Sequence, residues 1–363
     1  MNSIPKPYDK TYKYAPAKPN NRRIVEHLTP SKQMTCPANS QTVCGTAAPY
    51  QCLSGSAING CAASSSTWDN SSACTSYCNI QQQTPPRTTR NITVKNNCPK
   101  TVWVGTYGNS YIPAAGGFEL GSNSTKTIQV PSNWNSGRIW GRTGCVPGSN
   151  GMLTCETGDC NGQFGCLVTG QPPASLAEFN LSNDPTIPDY YDISLVDGFN
   201  LPISVAPVAG SYQYVNNPSL GKFNCGSPSC STFDVTKCPP ELTMKGQAGT
   251  YCASACTAVN NINRVANPAY LKNFNKALVC CSCDCGANCG CSNANCKYGC
   301  SPLDTDANHL GGRCYISQWP IASTGQTYNQ VFKDQCPDAY SWQFDDESST
   351  YQCANADYQV SFC

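Results

Sequence analysis

The chain has 363 residues, 28 of them cysteine and only two histidine (His27 and His309), with a formal net charge of +1. That charge gives no ground for a nucleic-acid or anionic-membrane partner, and the histidine count leaves almost no room for mixed Cys/His zinc sites or His-dependent nucleophilic triads. Cysteine at this density, with charged residues at only 12%, predicts a disulfide scaffold in an oxidising, extracellular setting.

Residues 1–34 hold seven Lys/Arg against two acids, several prolines and no cysteine, which is the composition of an extended basic arm. Such an arm is either a tail or a tether that docks to a wall or to neighbouring subunits. Its first residues, MNSIPKPYDKTYKY, lack the apolar core of a secretory leader. Two expectations follow: a leader has been removed, or the chain is oxidised by another route, as a virion or coat-surface protein served by a virus-encoded thiol oxidase would be. No apolar run anywhere reaches the roughly 18 residues that a membrane span requires.

Residues 35–80 carry six cysteines (36, 44, 52, 61, 74 and 78) in a Ser/Ala/Thr/Asn-rich background. So short a segment cannot bury enough apolar surface to fold unaided, so three internal disulfides are expected to make it a small module. Tyr50 and Trp68 either form its miniature core or stand exposed to stack on sugar rings, which would make the module carbohydrate-binding. Residues 81–90, beginning QQQTPPRTT, form a polar linker.

From Asn91 to Cys363 short β-like runs alternate with turns: ITV (92–94), TVWVGTY (101–107), TIQV (127–130), RIWGR (138–142) and YYDISLV (190–196). Repeated strands at this spacing predict a mainly β sandwich or barrel. One short helix is expected in YNQVFKDQ (328–335), with Tyr328, Val331 and Phe332 on one face. Asn70, Asn91, Asn123 and Asn180 lie in Asn-x-Ser/Thr sequons, acceptors for glycan in a secreted chain.

CETGDCNGQFGC (155–166) is the densest motif of this region. With NNC (96–98), RIWGRTGC (138–145), LAEFNL (176–181), YYDISLVDGFNLPISV (190–205), CPDAYSWQFDD (336–346) and the closing SFC, it resembles the thaumatin-like protein family across residues 91–363. One position departs from the family signature: Leu153 stands where Gly or Phe is usual. The resemblance implies a thaumatin-like sandwich or flattened barrel with disulfide-rich loop domains. It also implies the bridges Cys98–Cys363, Cys145–Cys155, Cys160–Cys166, Cys225–Cys353, Cys230–Cys336, Cys238–Cys252 and Cys256–Cys280. CETGDC is then a disulfide corner and neither a redox nor a metal site.

The surplus cysteines fall in an insertion at 282–314, within and after CCSCDCGANCGCSNANCKYGC (280–300). Cys300 is the expected partner of Cys281, because the Ser-Pro after it resembles the family's next segment. The remaining cysteines are expected as further bridges, the alternative being a thiolate cluster for soft metals.

The family carries an acidic cleft of one arginine and four acids, and the matching positions here are Arg138, Glu178, Asp192, Asp197 and Asp346, with Asp345 adjoining the last. Glycoside hydrolysis needs one protonated and one ionised carboxyl, and crowded carboxyls beside a guanidinium split in that way. Glu178, flanked by Leu176, Ala177 and Phe179, is the expected acid, and Asp192 or Asp197 the base or nucleophile; Arg138 and Asp346 bind substrate. Asp192 and Asp197 are five apart, on opposite faces of a regular strand, so a bend at Asp197-Gly198 is needed to join them. The same residues also fit a buried ion network with no chemistry.

The sequence therefore predicts a cofactor-free protein that binds β-1,3-glucan or a related wall polysaccharide. Weak endo-β-1,3-glucanase or antifungal, defence-related activity is a further expectation. The alternative is a structural wall, coat or virion-surface protein whose cleft is idle.

Overall fold

The computed structural model describes residues 87–363, apart from 150, 185, 284–290, 292 and 306–308, together with three short strands nearer the N-terminus. Those strands, Thr42–Cys44, Tyr50–Ser54 and Thr67–Trp68, pair antiparallel in chain order, and Tyr50 and Trp68 are register partners. They fall in a unit spanning Lys13–Pro86 that is separate from the compact unit holding Arg87–Cys363. The basic arm and the cysteine pairing expected within 35–80 lie outside the described residues.

The larger unit is built on eleven strands: β1 Thr89–Asn96, β2 Val102–Tyr107, β3 Gly117–Leu120, β4 Thr125–Pro131, β5 Gly137–Arg142, β6 Leu176–Asn180, β7 Asp189–Ser194, β8 Ile203–Pro207, β9 Ser229–Cys230, β10 Tyr351–Cys353 and β11 Tyr358–Phe362. They form a six-stranded sheet in the order β10-β7-β6-β5-β2-β3 and a five-stranded sheet in the order β9-β8-β11-β1-β4. Neither sheet closes into a barrel. Every neighbouring pair is antiparallel except β11 with β1. The last strand thus inserts beside the first, and Cys98–Cys363 pins that pair across a sequence separation of 265. A loop of that length gives the bridge a chain-entropy contribution on the order of 5 kcal/mol.

Period-two patterning explains the sandwich. Ile92 and Val94 on β1, Ile128 and Val130 on β4, and Val205 and Val360 on β8 and β11 enter one buried cluster with Val104, Ile139, Ala177, Phe179, Tyr191 and Ile193 of the other sheet. Tyr358 sits in edge or tilted contact with both Phe179 and Tyr191 at 5.3 and 4.9 Å. The first strand begins at Thr89, inside the segment expected as linker. Arg87 meets Asp357 at 2.7 Å, and Arg90 is buried, so both arginines belong to the domain. A polar, proline-containing composition masked their long-range partners.

β5 is buried on both faces. Its core side presents Ile139; its outer side carries Trp140 and Arg142, which the Cys-rich corner covers. Trp140 packs with Cys160, Cys166, Ala174 and Leu176 as a second cluster and donates its indole N–H to the Gly158 carbonyl at 2.9 Å. Gly158 is in the left-handed region at φ 66°, and a Cβ there would lie 2.8 Å from the Trp140 ring, so the glycine of CETGDC is required twice over. The Arg142 guanidinium donates to the carbonyls of Trp103, Val104, Gln163 and Phe164. Burial pulls it down to about 10, with Asp159 opposing. Both acids of the motif are also used: Asp159 accepts from the Cys155 and Gly162 amides, and Glu156 from Gln247, Ala248 and Tyr251.

A disulfide-rich lobe fills 208–342. It holds a small hairpin (Thr243–Lys245 with Thr250–Cys252) and the short helices α1 Ala255–Asn260, α2 Lys276–Val279 and α3 Tyr328–Lys333. α3 lies within the stretch predicted helical; Tyr328, Val331 and Phe332 are its buried residues, and Thr327 with Gln330 forms a capping box at its start.

The structure closes Cys98–Cys363, Cys145–Cys155, Cys160–Cys166, Cys225–Cys353, Cys230–Cys336, Cys238–Cys252 and Cys256–Cys280. In the insertion it corrects one expectation: Cys281 pairs with Cys314, and Cys300 with Cys291. A parallel bridge of Cys300 with Arg313 brings Cys314 level with Cys300, so Cys314 reaches Cys281 while Cys300 closes on the nearer loop. Cys283 takes Cys296, and Cys285 and Cys289 lie outside the described residues.

Candidate functional site

Three of the five expected cleft residues stand side by side on the outer face of the six-stranded sheet. Arg138 of β5 is the register partner of Glu178 on β6, and Glu178 is the register partner of Asp192 on β7. Directly opposed residues on one face hold their Cβ atoms about 5 Å apart, so the three form one continuous polar row. The flanking core residues fix its direction. Ala177, Phe179, Tyr191 and Ile193 are fully buried between the sheets, which turns Glu178 and Asp192 outward.

The Arg138 Nε–Glu178 Oε1 distance is 3.0 Å, with side-chain exposures of 7% and 15%. The pair is therefore shielded but reachable. Asp192 is half-buried next to it. Beyond Arg138, the register partner on β2 is Tyr107, also half-buried and packed on the Trp140 cluster. Tyr107 lies outside the motif-derived set, although the alternation in TVWVGTY puts Trp103, Gly105 and Tyr107 on one face.

Asp197 lies past the end of β7. The chain turns there, with the Gly198 N–H bonded to the Leu195 carbonyl at 2.8 Å. Gly198 has φ 100°, and a Cβ would meet the Cys252 carbonyl at 2.5 Å. The bend expected at Asp197-Gly198 is thus present. Its position is fixed by the Thr257 hydroxyl of α1, which donates to the Asp197 carbonyl at 3.0 Å.

Asp346 opens α4, Asp346–Ser349. It accepts from the Tyr340 hydroxyl at 2.8 Å. Tyr340 is itself laced to β7, donating its amide to the Ile193 carbonyl and accepting from the Leu195 amide. Tyr340 therefore links Asp346 to the stretch of chain between Asp192 and Asp197, a connection that no local motif marks. Asp345 is otherwise engaged: it meets Lys333 at 3.0 Å and accepts from Ser341 and Ser348. Of the two adjacent acids, Asp346 is the one at the flank of the row.

Near the Asp197 turn, a cavity of about 10 Å³ lies among Val196, Ser254, Trp319 and Trp342, with room for one water at most. A ligand of sugar size has no enclosed pocket there.

An eleven-stranded sandwich, its termini bridged by a disulfide, a cystine corner on one face and an arginine–carboxylate row beside it, defines a thaumatin-type protein. The comparisons agree: the Thaumatin family model matches residues 96–273. Thaumatin-like protein 1 of Pyrus pyrifolia is 38% identical over 282 residues, which cover 75% of this chain and 89% of the relative. Pathogenesis-related protein 5 of Arabidopsis thaliana is 34% identical over 273 residues, covering 75% and 89%. The chain belongs to the thaumatin family. Among solved structures, a laminaripentaose-producing β-1,3-glucanase in complex with laminaritetraose is similar at 12% identity and a TM-score of 0.42, over 76% of this chain and 98% of that one.

Proposed function

We propose that the thaumatin-like domain binds a neutral wall polysaccharide, of the β-1,3-glucan class that the sequence resemblance implies, along the row Tyr107–Arg138–Glu178–Asp192. The observation that carries this is the Arg138–Glu178 pair, mostly shielded yet on the face of the sheet turned away from the core, with Glu178 15% exposed. Carboxylates accept hydrogen bonds from vicinal sugar hydroxyls, each charge-assisted bond contributing roughly 1.5–3 kcal/mol. Tyr107, half-buried beside Arg138, would stack its ring face on the sugar's C–H groups. Asp197 and Asp346 would extend the set around the end of β7.

The same pair favours binding over turnover. A guanidinium at 3.0 Å is a partner for a carboxylate, not for the neutral acid that protonates a leaving group. Hydrolysis, if present, would be slow and would need Asp192, Asp197 or Asp346 as its acid. Ten disulfides among the described residues fit an extracellular or wall-facing setting. The pathogenesis-related names of the relatives suit a defence role there.

The test is retention of the full chain on insoluble β-1,3-glucan, alongside reducing-end release from a soluble one. Wild type should be retained without release, and Glu178→Gln should weaken retention at least tenfold. Equal retention of the variant would move the site elsewhere, and release by wild type that Glu178→Gln abolishes would make Glu178 the acid of a hydrolase.

A further inference from the structure

The three sequons of the described unit occupy very different surroundings. Asn91 lies within β1, and the hydroxyl of its sequon, Thr93 Oγ1, is bonded to Thr127 Oγ1 on β4 at 3.0 Å. Asn180 ends β6; its side-chain oxygen accepts from the Ser136 amide at 2.8 Å, Leu181 is buried, and the Ser182 hydroxyl donates to the Asp184 carbonyl. Both asparagines lie in paired strands and are half-buried. Asn123 differs in exposure and backbone, although its side-chain amide donates to the neighbouring Ser122 hydroxyl at 3.2 Å and Thr125 opens β4. It lies in the turn Gly121–Ser124, closed by the Ser124 amide on the Gly121 carbonyl at 3.1 Å, with φ 55°, a left-handed conformation that Asn tolerates. Asn123, Ser124 and Thr125 are all exposed.

We infer that Asn123 is the residue of the thaumatin-like domain that carries an N-linked oligosaccharide. The donor is an oligosaccharide on a lipid diphosphate, met in the oxidising lumen where disulfides form. Asn123 Nδ2 bonds to the anomeric carbon as that carbon's bond to the diphosphate oxygen breaks. The diphosphate leaves with the electron pair, and the amide proton passes to a base of the transferase. The Thr125 hydroxyl supplies the third sequon position.

The turn joins β3 to β4, and these are the edge strands of the six-stranded and five-stranded sheets respectively. A glycan on Asn123 therefore hangs beside both open edges, where unpaired backbone groups invite association with another chain. This inference is independent of the polysaccharide site.

The full chain, secreted from a eukaryotic host behind a cleavable leader, gives the test by glycopeptide mapping. Wild type and Thr125→Ser are expected to carry sugar on the Asn123 peptide, whereas Asn123→Gln and Thr125→Ala lose it and drop in mass by one oligosaccharide. Sugar on Asn91 or Asn180 with Asn123 bare, or an unmodified Asn123 in wild type, would overturn the assignment. Thr125→Ala should also scatter more light than wild type at high concentration, and equal scattering would overturn the shielding of the edges.

Discussion

Arg90 meets Asp189 inside the sandwich, and Arg138 meets Glu178 on its outer face. The residue chemistry is nearly the same, and the surroundings are opposite. Arg90 and Asp189 have side-chain exposures of 2% and 0%, and the Asp189 carboxylate also accepts from the Ser182 and Ala356 amides and the Tyr358 hydroxyl. Burial pushes the Asp189 carboxyl up, and Arg90 with those three donors opposes the shift. The pair's contacts come from β1, β7, the chain after β6 and the chain leading into β11, so it fastens those segments together. The Arg138–Glu178 pair keeps side-chain exposures of 7% and 15%, and Asp192 flanks Glu178 on the next strand. The buried pair is a fastening, and the more exposed pair in a polar row is the one the proposed polysaccharide site uses.

The largest test of this contrast is Asp189→Asn, which leaves Arg90 buried beside a neutral amide. Removing one partner of a buried pair costs about 3–5 kcal/mol, and chemical denaturation should show a loss of that size with glucan retention unchanged in whatever fraction stays folded. A loss below about 1 kcal/mol would mean that Arg90 finds other partners and that the two pairs are alike. Second in size is the double change Cys160→Ser/Cys166→Ser. The bridge closes a short loop with a separation of 6, for which chain entropy gives about 2 kcal/mol. Its removal frees the corner over Trp140, beside the row, so retention should weaken along with stability. Retention that is fully preserved would show that the row stands without the corner.

Glu178→Gln sharpens the comparison from the other side. Its stability loss should be about 1.5 kcal/mol, the low end for a hydrogen bond to a charged group because the pair is partly exposed, while retention falls tenfold or more. If the denaturation midpoint falls as far as in Asp189→Asn, the outer pair is a fastening too.

These two pairs also show what a sequence can disclose. The strands were legible in period-two alternation, and the disulfide corner with Arg138, Glu178 and Asp192 through short motifs that resemble the thaumatin-like family. Arg138, Glu178 and Asp192 each sit in a strand whose neighbours point to the core, so their outward direction follows from one-dimensional pattern alone. Arg90 and Asp189 were passed over for the opposite reason. Arg90 follows a polar, proline-containing stretch that looks like linker, and its partners lie 92 and 266 residues away in the chain. Nothing local marks a residue whose environment is assembled by the last strand inserting beside the first. Cys281 failed in the same way: its partner depends on a bridge between Cys300 and Arg313 that no spacing announces.

A third pair extends the series to the surface and has the smallest expected effect. Lys222 Nζ lies 2.8 Å from Asp338 Oδ1, with side-chain exposures of 57% and 26%. Burial alone would raise the Asp338 carboxyl, but its hydrogen bonds from Lys222 and the Tyr351 hydroxyl outweigh that and hold it below the usual aspartate range. A carboxyl depressed on folding stabilises the native state above its unfolded pKa, near 3.9. That contribution is lost as pH falls through the lower, folded value. Wild type should therefore lose stability on the acid side over this window, and Asp338→Asn should lose less. The difference at neutral pH should stay within about 1 kcal/mol, because water and salt screen an exposed pair, and it should shrink further in 1 M salt, where the screening length is only about 3 Å. If Asp338→Asn instead costs as much as Asp189→Asn, exposure does not rank these pairs, and the distinction between fastening and binding site loses its physical basis.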